Sequence, residues 1–156
     1  MSGGSSQLRW LNVEEMRAWR AYMVGTALLD AQLNRDLLEE HQLALADYEL
    51  LVRLSEAPGG QIRMSALAGQ VASSKSRISH QVGRMEEVGL VRRQESPGDR
   101  RGVLAVLTNH GQEVLRSAAP THVRSVRDNL LDLLSDQERL VLAEVFERVV
   151  SHLRGQ

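Results

Sequence analysis

The sequence predicts a mainly helical α+β chain that carries one small β-hairpin. Apolar residues recur at helical spacing through both ends of the 156 residues. A strand-like stretch broken by Pro-Gly falls between positions 90 and 107. Helix start and stop residues frame the segments between these parts.

Residues 1–11 read as a flexible tail. Asn12, with Glu15 three residues on, can cap a first helix reciprocally. Met16, Trp19, Met23, Ala27, Leu29, Leu33 and Leu37 carry that helix to about Glu40, long beside the usual ~11–12 residues. A second helix spans about Ala46–Ala57, with Tyr48, Leu51, Val52 and Leu54 apolar, and Pro58-Gly59-Gly60 stops it. Gln61-Ile62-Arg63 suits a short strand. A third helix covers about Met64–Val71, with Leu67, Ala68 and Val71 inward. After a break at Ala72-Ser73, Ser74 can cap a fourth helix that runs to Val88. Gly89 ends it where a left-handed backbone is usual. Leu90–Glu95 reads as a strand, Ser96-Pro97-Gly98-Asp99 as a turn, and Val103–Leu107 as the return strand. Thr108 caps a fifth helix to about Leu134, in which Pro120 should introduce a kink. Ser135 and Glu138 form a capping box for the last helix, about Asp136–Leu153. The end helices carry more apolar surface than a middle domain of this size can cover. They are therefore expected to pack together and against a second copy of themselves.

Composition narrows the classes. Hydrophobic residues make up 42% and charged residues 25% of the chain, ordinary for a globular protein. No apolar run approaches the roughly 20 residues that span a bilayer, and the start lacks signal-peptide features, so the expected compartment is the cytoplasm. Cysteine is absent, which excludes disulfides, Cys-ligated zinc and a thiol switch within the chain. Aromatics at 3% fit stacking on single-stranded bases poorly. Net charge is −1 but unevenly spread. Residues 61–102 hold Arg63, Lys75, Arg77, Arg84, Arg92, Arg93, Arg100 and Arg101 against Glu86, Glu87, Glu95 and Asp99, a net +4, which leaves −5 elsewhere. A basic segment between acidic flanks is expected where one part meets phosphate, although a solvated face shows the same excess.

Placed at 100° per residue, Ile78, Val82 and Met85 share one face of the fourth helix. The opposite face holds Ser73, Ser76, Arg77, His80, Arg84 and Glu87. Arg can bond guanine O6 and N7 together, and Ser and His can bond base or phosphate. An ordinary amphipathic helix would look similar. The hairpin that follows adds Asp99-Arg100-Arg101 at its tip. A guanidinium there can enter a narrow minor groove, where negative potential is enhanced, and Asp99 can hold its neighbour in direction. The order recognition helix, Gly, strand, basic tip, strand is that of a winged helix-turn-helix, joined here to a helical dimerisation region.

Residues 63–111, RMSALAGQVASSKSRISHQVGRMEEVGLVRRQESPGDRRGVLAVLTNHG, resemble the MarR family of bacterial transcriptional regulators. The shared pattern is a Leu-Ala helix, a Ser-rich turn, a helix ending Met-Glu-x-x-Gly-Leu-Val, and a wing reading Pro-x-Asp-Arg-Arg-…-Leu-Thr-x-x-Gly. The helical layout outside this stretch fits as well. The resemblance implies a homodimeric, sequence-specific DNA-binding regulator, a repressor by family default, that reads a pseudo-palindromic operator. It implies a dimerisation region at 12–40 and 109–156, with the winged domain at 41–108. The implied DNA-contacting residues are Ser74, Lys75, Ser76, Arg77, His80, Gln81 and Arg84 on the helix, with Asp99, Arg100 and Arg101 on the wing. Arg101 would enter the groove and Asp99 would hold the tip. Two departures are Ala72-Ser73, where the family often has Gly and an apolar residue, and the helical glycines Gly69 and Gly83, each costing about 1 kcal/mol relative to Ala. Gly83 is expected on the outer face, where it allows close approach to DNA or is neutral.

Release by a small aromatic or anionic effector, common in the family, would involve Trp19, Tyr22 and Met23 on the first helix and Tyr48 on the second. The competing reading makes these aromatics dimer-interface core. No two histidines have metal-ligand spacing, so neither metal nor cofactor is expected. The chain has no Gly-rich phosphate loop, Gly-x-Ser-x-Gly elbow or His-Glu-x-x-His, so no enzyme is expected. A helical adaptor that uses its winged lobe for protein contacts is the other competitor.

Overall fold

A computed structural model of the chain describes residues 8–70 and 74–155; the side chains of residues 99–101 are outside the described set. Helix α1 spans Val13–His41. Asn12 Oδ1 accepts from the Glu15 amide at 2.8 Å, and the Glu15 carboxylate accepts from the Asn12 amide at 2.9 Å. Its end is set by Gln42, which turns left-handed at φ 53° and donates back to the Leu37 and Leu38 carbonyls. Helix α2 spans Leu45–Glu56. Ala44 has no side chain to cap it, and the Leu45 amide instead donates to Asn34 Oδ1 of α1 at 2.9 Å. The second helix is thereby started by the first.

A 3-10 turn over Pro58–Gly60 leads into β1, Gln61–Arg63. Helix α3, Met64–Gln70, and helix α4, Lys75–Glu87, follow. The break at Ala72-Ser73 and the inward Val71 lie outside the described residues. Gly89 is left-handed at φ 75°, and the Leu90 amide donates to the Met85 carbonyl at 2.9 Å. Strands β2, Val91–Ser96, and β3, Asp99–Leu107, then pair antiparallel, and β1 joins the far side of β3. Ile62 faces Ala105 and Val91 faces Leu107 in the two ladders.

Helix α5, Asn109–Asn129, starts from Thr108 and continues unbroken through Pro120. It stops five residues before the expected Leu134. Asn129 donates its side-chain amide back to the Ser125 carbonyl at 2.9 Å, competing with the backbone at the last turn. Leu130 then leaves helical geometry at φ −141°, and a 3-10 turn covers Leu131–Leu133. Helix α6, Asp136–Arg154, starts with the Ser135–Glu138 capping box.

The core lies in the middle of the chain. Leu37 of α1, Leu50, Leu51 and Leu54 of α2, Leu67 of α3, Ile78, Val82 and Met85 of α4, and Val91 of β2 are fully buried. Leu115 and Ala118 of α5 close it from above. Polar contacts fix α5 along α1. Thr121 donates to Glu40 Oε2 at 2.7 Å and accepts from His41 Nε2 at 2.9 Å. Ser125 donates to Asp36 at 2.5 Å, and Arg124 pairs with Glu40 at 2.5 Å. No residue of α6 is buried; its Phe146 ring packs on Tyr22 of α1 at 5.6 Å between centroids. No helix among the described residues is long and apolar enough to cross a membrane.

Gly111 occupies the tightest junction. A Cβ built there would stand 2.1 Å from the Leu90 carbonyl oxygen and 2.8 Å from Leu107 Cδ1. Gly111→Ala is expected to lower thermal stability by more than about 2 kcal/mol, because the obstacle is backbone and cannot swing aside. Gly69→Ala, with nothing within 4 Å of the added carbon, is expected to gain up to about 1 kcal/mol. Equal melting temperatures for the two variants would count against this packing.

Candidate nucleic-acid interface

The outward face of α4 follows from what holds its inward face. Ile78, Val82 and Met85 are 2%, 0% and 1% exposed, so rotation about the helix axis is fixed. Ser76, Arg77, His80, Arg84 and Glu87 are left in solvent, with Lys75 beside them. Ser74 caps the helix, its Oγ accepting from the Arg77 amide at 3.2 Å. The side chains of Lys75, Ser76, Arg77, His80 and Arg84 make no hydrogen bond or ion pair with another described residue. Their donors are available to an external partner.

Gln81 is placed differently from the sequence reading. Its Nε2 donates to the Ala46 carbonyl and to Asp47 Oδ1, both at 2.9 Å. The amide therefore braces α4 against the start of α2 and points away from the polar face. Gly83 also departs from expectation. It faces the wing strand, and an added Cβ would meet the Arg93 guanidinium at 3.6 Å.

That guanidinium ties α4 to the wing. Arg93 donates through Nη2 to the Ser79 carbonyl at 2.6 Å, and Nη1 lies 3.3 Å from Glu86. The Arg93 amide donates to the other Glu86 oxygen at 2.8 Å. Strand and helix are joined by backbone and side chain at once. Neither Glu86 nor Arg93 stood out in the sequence; their separation by the Gly89 turn was the available signal.

The wing is longer on its return side than the sequence suggested. The turn proper is Pro97-Gly98, with Gly98 at φ 79°. Asp99 already pairs with Ser96 in the ladder. Between Glu95 and Ser96 the register shifts, so Arg100, Arg101 and Gly102 are extra residues on the β3 side. A bulge of this kind bends a strand and re-aims its side chains. Arg63 of β1 donates to the buried Ser96 hydroxyl at 3.1 Å, anchoring this point.

The four effector candidates fall into two places. Trp19 stacks on Tyr22 at 5.8 Å, and Tyr22 meets Phe146; with Met23 these residues are about half exposed. Tyr48 is buried and packs on His122 of α5 at 4.5 Å. A cleft of about 270 Å³ opens beside that pair, lined also by Glu49, Arg53 and Glu56. His122 Nδ1 is buried without a hydrogen-bond partner. Burial pushes the His122 imidazole below its ordinary value and the Tyr48 and Glu49 groups above theirs. Among the described residues no group of three His, Asp or Glu side chains is arranged to hold a metal ion.

Comparison with known proteins agrees with this architecture. The MarR family model matches residues 43–103. The structure of AbsC, a MarR family transcriptional regulator from Streptomyces coelicolor, is 47% identical. The match covers 96% of this chain and all of that one, with a TM-score of 0.89. Sco3205, another MarR family regulator from the same organism, solved in complex with DNA, is 40% identical over 96% of this chain and 93% of its own, with a TM-score of 0.91. The transcriptional regulator PecS of Dickeya dadantii is 28% identical over 92% of this chain and 86% of its own.

His122 gives a pH signature. The unfolded chain takes up a proton near the ordinary value of 6.5, whereas the folded imidazole resists until lower pH. Its contribution is therefore complete above about 6.5 and is lost as pH falls below that. Glu40, held low by Thr121 and Arg124, acts only below its ordinary 4.5. His122→Gln should flatten the fall in melting temperature as pH drops below about 6.5 and leave the fall below 4.5 in place. A variant curve parallel to the parent's through the upper window would rule this out.

Proposed function

The chain belongs to the MarR family of transcriptional regulators, and we propose that it acts as a homodimeric repressor on a pseudo-palindromic DNA operator. The observation that carries this reading is the outward face of α4. Arg77, His80 and Arg84 stand there exposed and uncommitted beside a basic wing. In the proposed complex α4 enters the major groove, with Ser74, Lys75, Ser76, Arg77, His80 and Arg84 facing bases and phosphates. Arg101, with Arg100 as its alternative, reaches into the adjoining minor groove, and Asp99 orients the tip. Gln81 contributes indirectly by holding α4 on α2.

Dimerisation through residues 12–40 and 109–156 is supported by apolar surface that no described residue of the same chain covers. Leu140, Val141, Val149, Val150 and Leu153 of α6 are 44–64% exposed, and Leu28, Val24 and Trp19 of α1 are 51–67% exposed. Patches of that extent mark interaction surfaces. Two copies place two α4 helices at half-sites about one helical turn apart. Trp19, Tyr22 and Met23 belong to that dimer surface in this reading. The effector, a small aromatic or anionic compound, enters beside Tyr48, where the cleft and the unpartnered His122 nitrogen support it. The protein works in the cytoplasm, without a catalytic role.

The test is binding to duplexes selected from a random pool, titrated with salt. Affinity should fall steeply as salt rises, because neutralised phosphates release counterions. Equal affinity for all duplexes, or a flat salt response, would sink the operator reading. Arg77→Ala should relax base preference by about 1–3 kcal/mol at one position of each half-site if it makes a two-point base contact. Arg101→Ala should weaken binding to the selected duplex; unchanged affinity would transfer the groove role to Arg100.

A further inference from the structure

With α4 in the major groove and the wing in the minor groove beside it, one sugar–phosphate strand must run between those elements, because that strand separates the two grooves. We propose that a phosphodiester of this strand is held in the groove between α4 and the wing by Arg63, Lys75 and Arg93. This rests on the DNA-binding reading above and adds to it a backbone seat and two residues, Arg63 and Arg93.

The groove has a volume of about 330 Å³ and is lined by Arg63, Lys75, Ser79, Arg93 and Gly102, among others, with three cations and no carboxylate among the described residues. Gly102 contributes no side chain to fill it. Its cations come from three separate elements, β1, α4 and β2, so the fold converges them on one space. Arg93 is fixed in advance. Ser79 takes guanidinium N–H through its carbonyl and its hydroxyl and Glu86 takes another, which leaves at least two of the five donors for another acceptor. A guanidinium already held in position loses little freedom on binding. Arg63 is steadied in turn by the Ser96 hydroxyl at 3.1 Å. Lys75 makes no hydrogen bond or ion pair with another described residue. Phosphate contacts of this kind set register and orientation and carry no sequence preference. The seat would therefore fix how deep α4 and the wing enter their grooves.

The experiment measures affinity for the selected duplex across a salt series, for the parent protein and for Lys75→Gln and Arg63→Gln. Each neutralisation should lower the slope of log K against log salt by about 0.9, while the ranking of base-substituted duplexes stays as in the parent. A second measurement does not depend on how the variants fold. Single uncharged methylphosphonate linkages are walked along the duplex and tested on the parent protein. The linkage between the major-groove and minor-groove positions should weaken the parent, and should weaken Lys75→Gln less. A steep parent slope that both variants share, with no sensitive linkage between the two positions, overturns the phosphate seat alone. A flat parent slope overturns the DNA-binding reading and this inference with it.

Discussion

Thr108 ties the winged unit to the helix that follows it. Its hydroxyl donates to the Gly89 carbonyl at 2.6 Å and accepts from the Gly111 amide at 2.9 Å. Its own amide donates to the Leu90 carbonyl at 3.2 Å. The end of α4, the start of β2 and the start of α5 therefore meet at one side chain. Gly111 makes the meeting possible, because any larger residue would collide with the Leu90 carbonyl. The direction in which α4 leaves the body is set here, and the direction of the helix that returns to α1 is set by the same contacts.

From that junction the unit is braced outward in two steps. Gln81 ties α4 to the start of α2, and α2 is itself started by Asn34 of α1. On the other side Arg93 ties α4 to the wing through Ser79 and Glu86. In the proposed complex a helix and a hairpin enter adjacent grooves and need a fixed spacing, and these polar ties supply it without adding apolar surface to that side. The apolar surface is kept at the chain ends, where α6 presents its stripe.

Local structure is legible in the sequence where neighbours in sequence decide the outcome. Asn12 with Glu15 and Ser135 with Glu138 mark helix starts because both partners of each cap lie within four residues. Ile78, Val82 and Met85 fix the buried side of α4 because helical spacing alone puts them together. The less legible features depend on partners far along the chain. Gln81 looked like one more polar residue on a DNA-facing helix until Ala46 and Asp47, more than 30 positions away, engaged it. Gly83 looked open until Arg93 covered it from the wing. Asp99 read as part of a turn, but a strand register that only pairing can define places it in the ladder. The early end of α5 depends on Asn129 turning back on its own helix, a choice that helical periodicity does not register.

The length of α1 has a mechanical meaning. It is one unbroken helix of 29 residues, capped at both ends, and about 43 Å long at 1.5 Å per residue. Its far half stands clear of the core, while its near half starts α2 and carries α5. A straight helix of that length turns a small tilt at one end into a displacement at the other. A tilt of about 5° over that length displaces the tip by about 4 Å, on the order of the 3.4 Å between successive base pairs. In the proposed dimer, a small tilt where two copies meet on α1 would therefore carry each core by a distance comparable to one base-pair step.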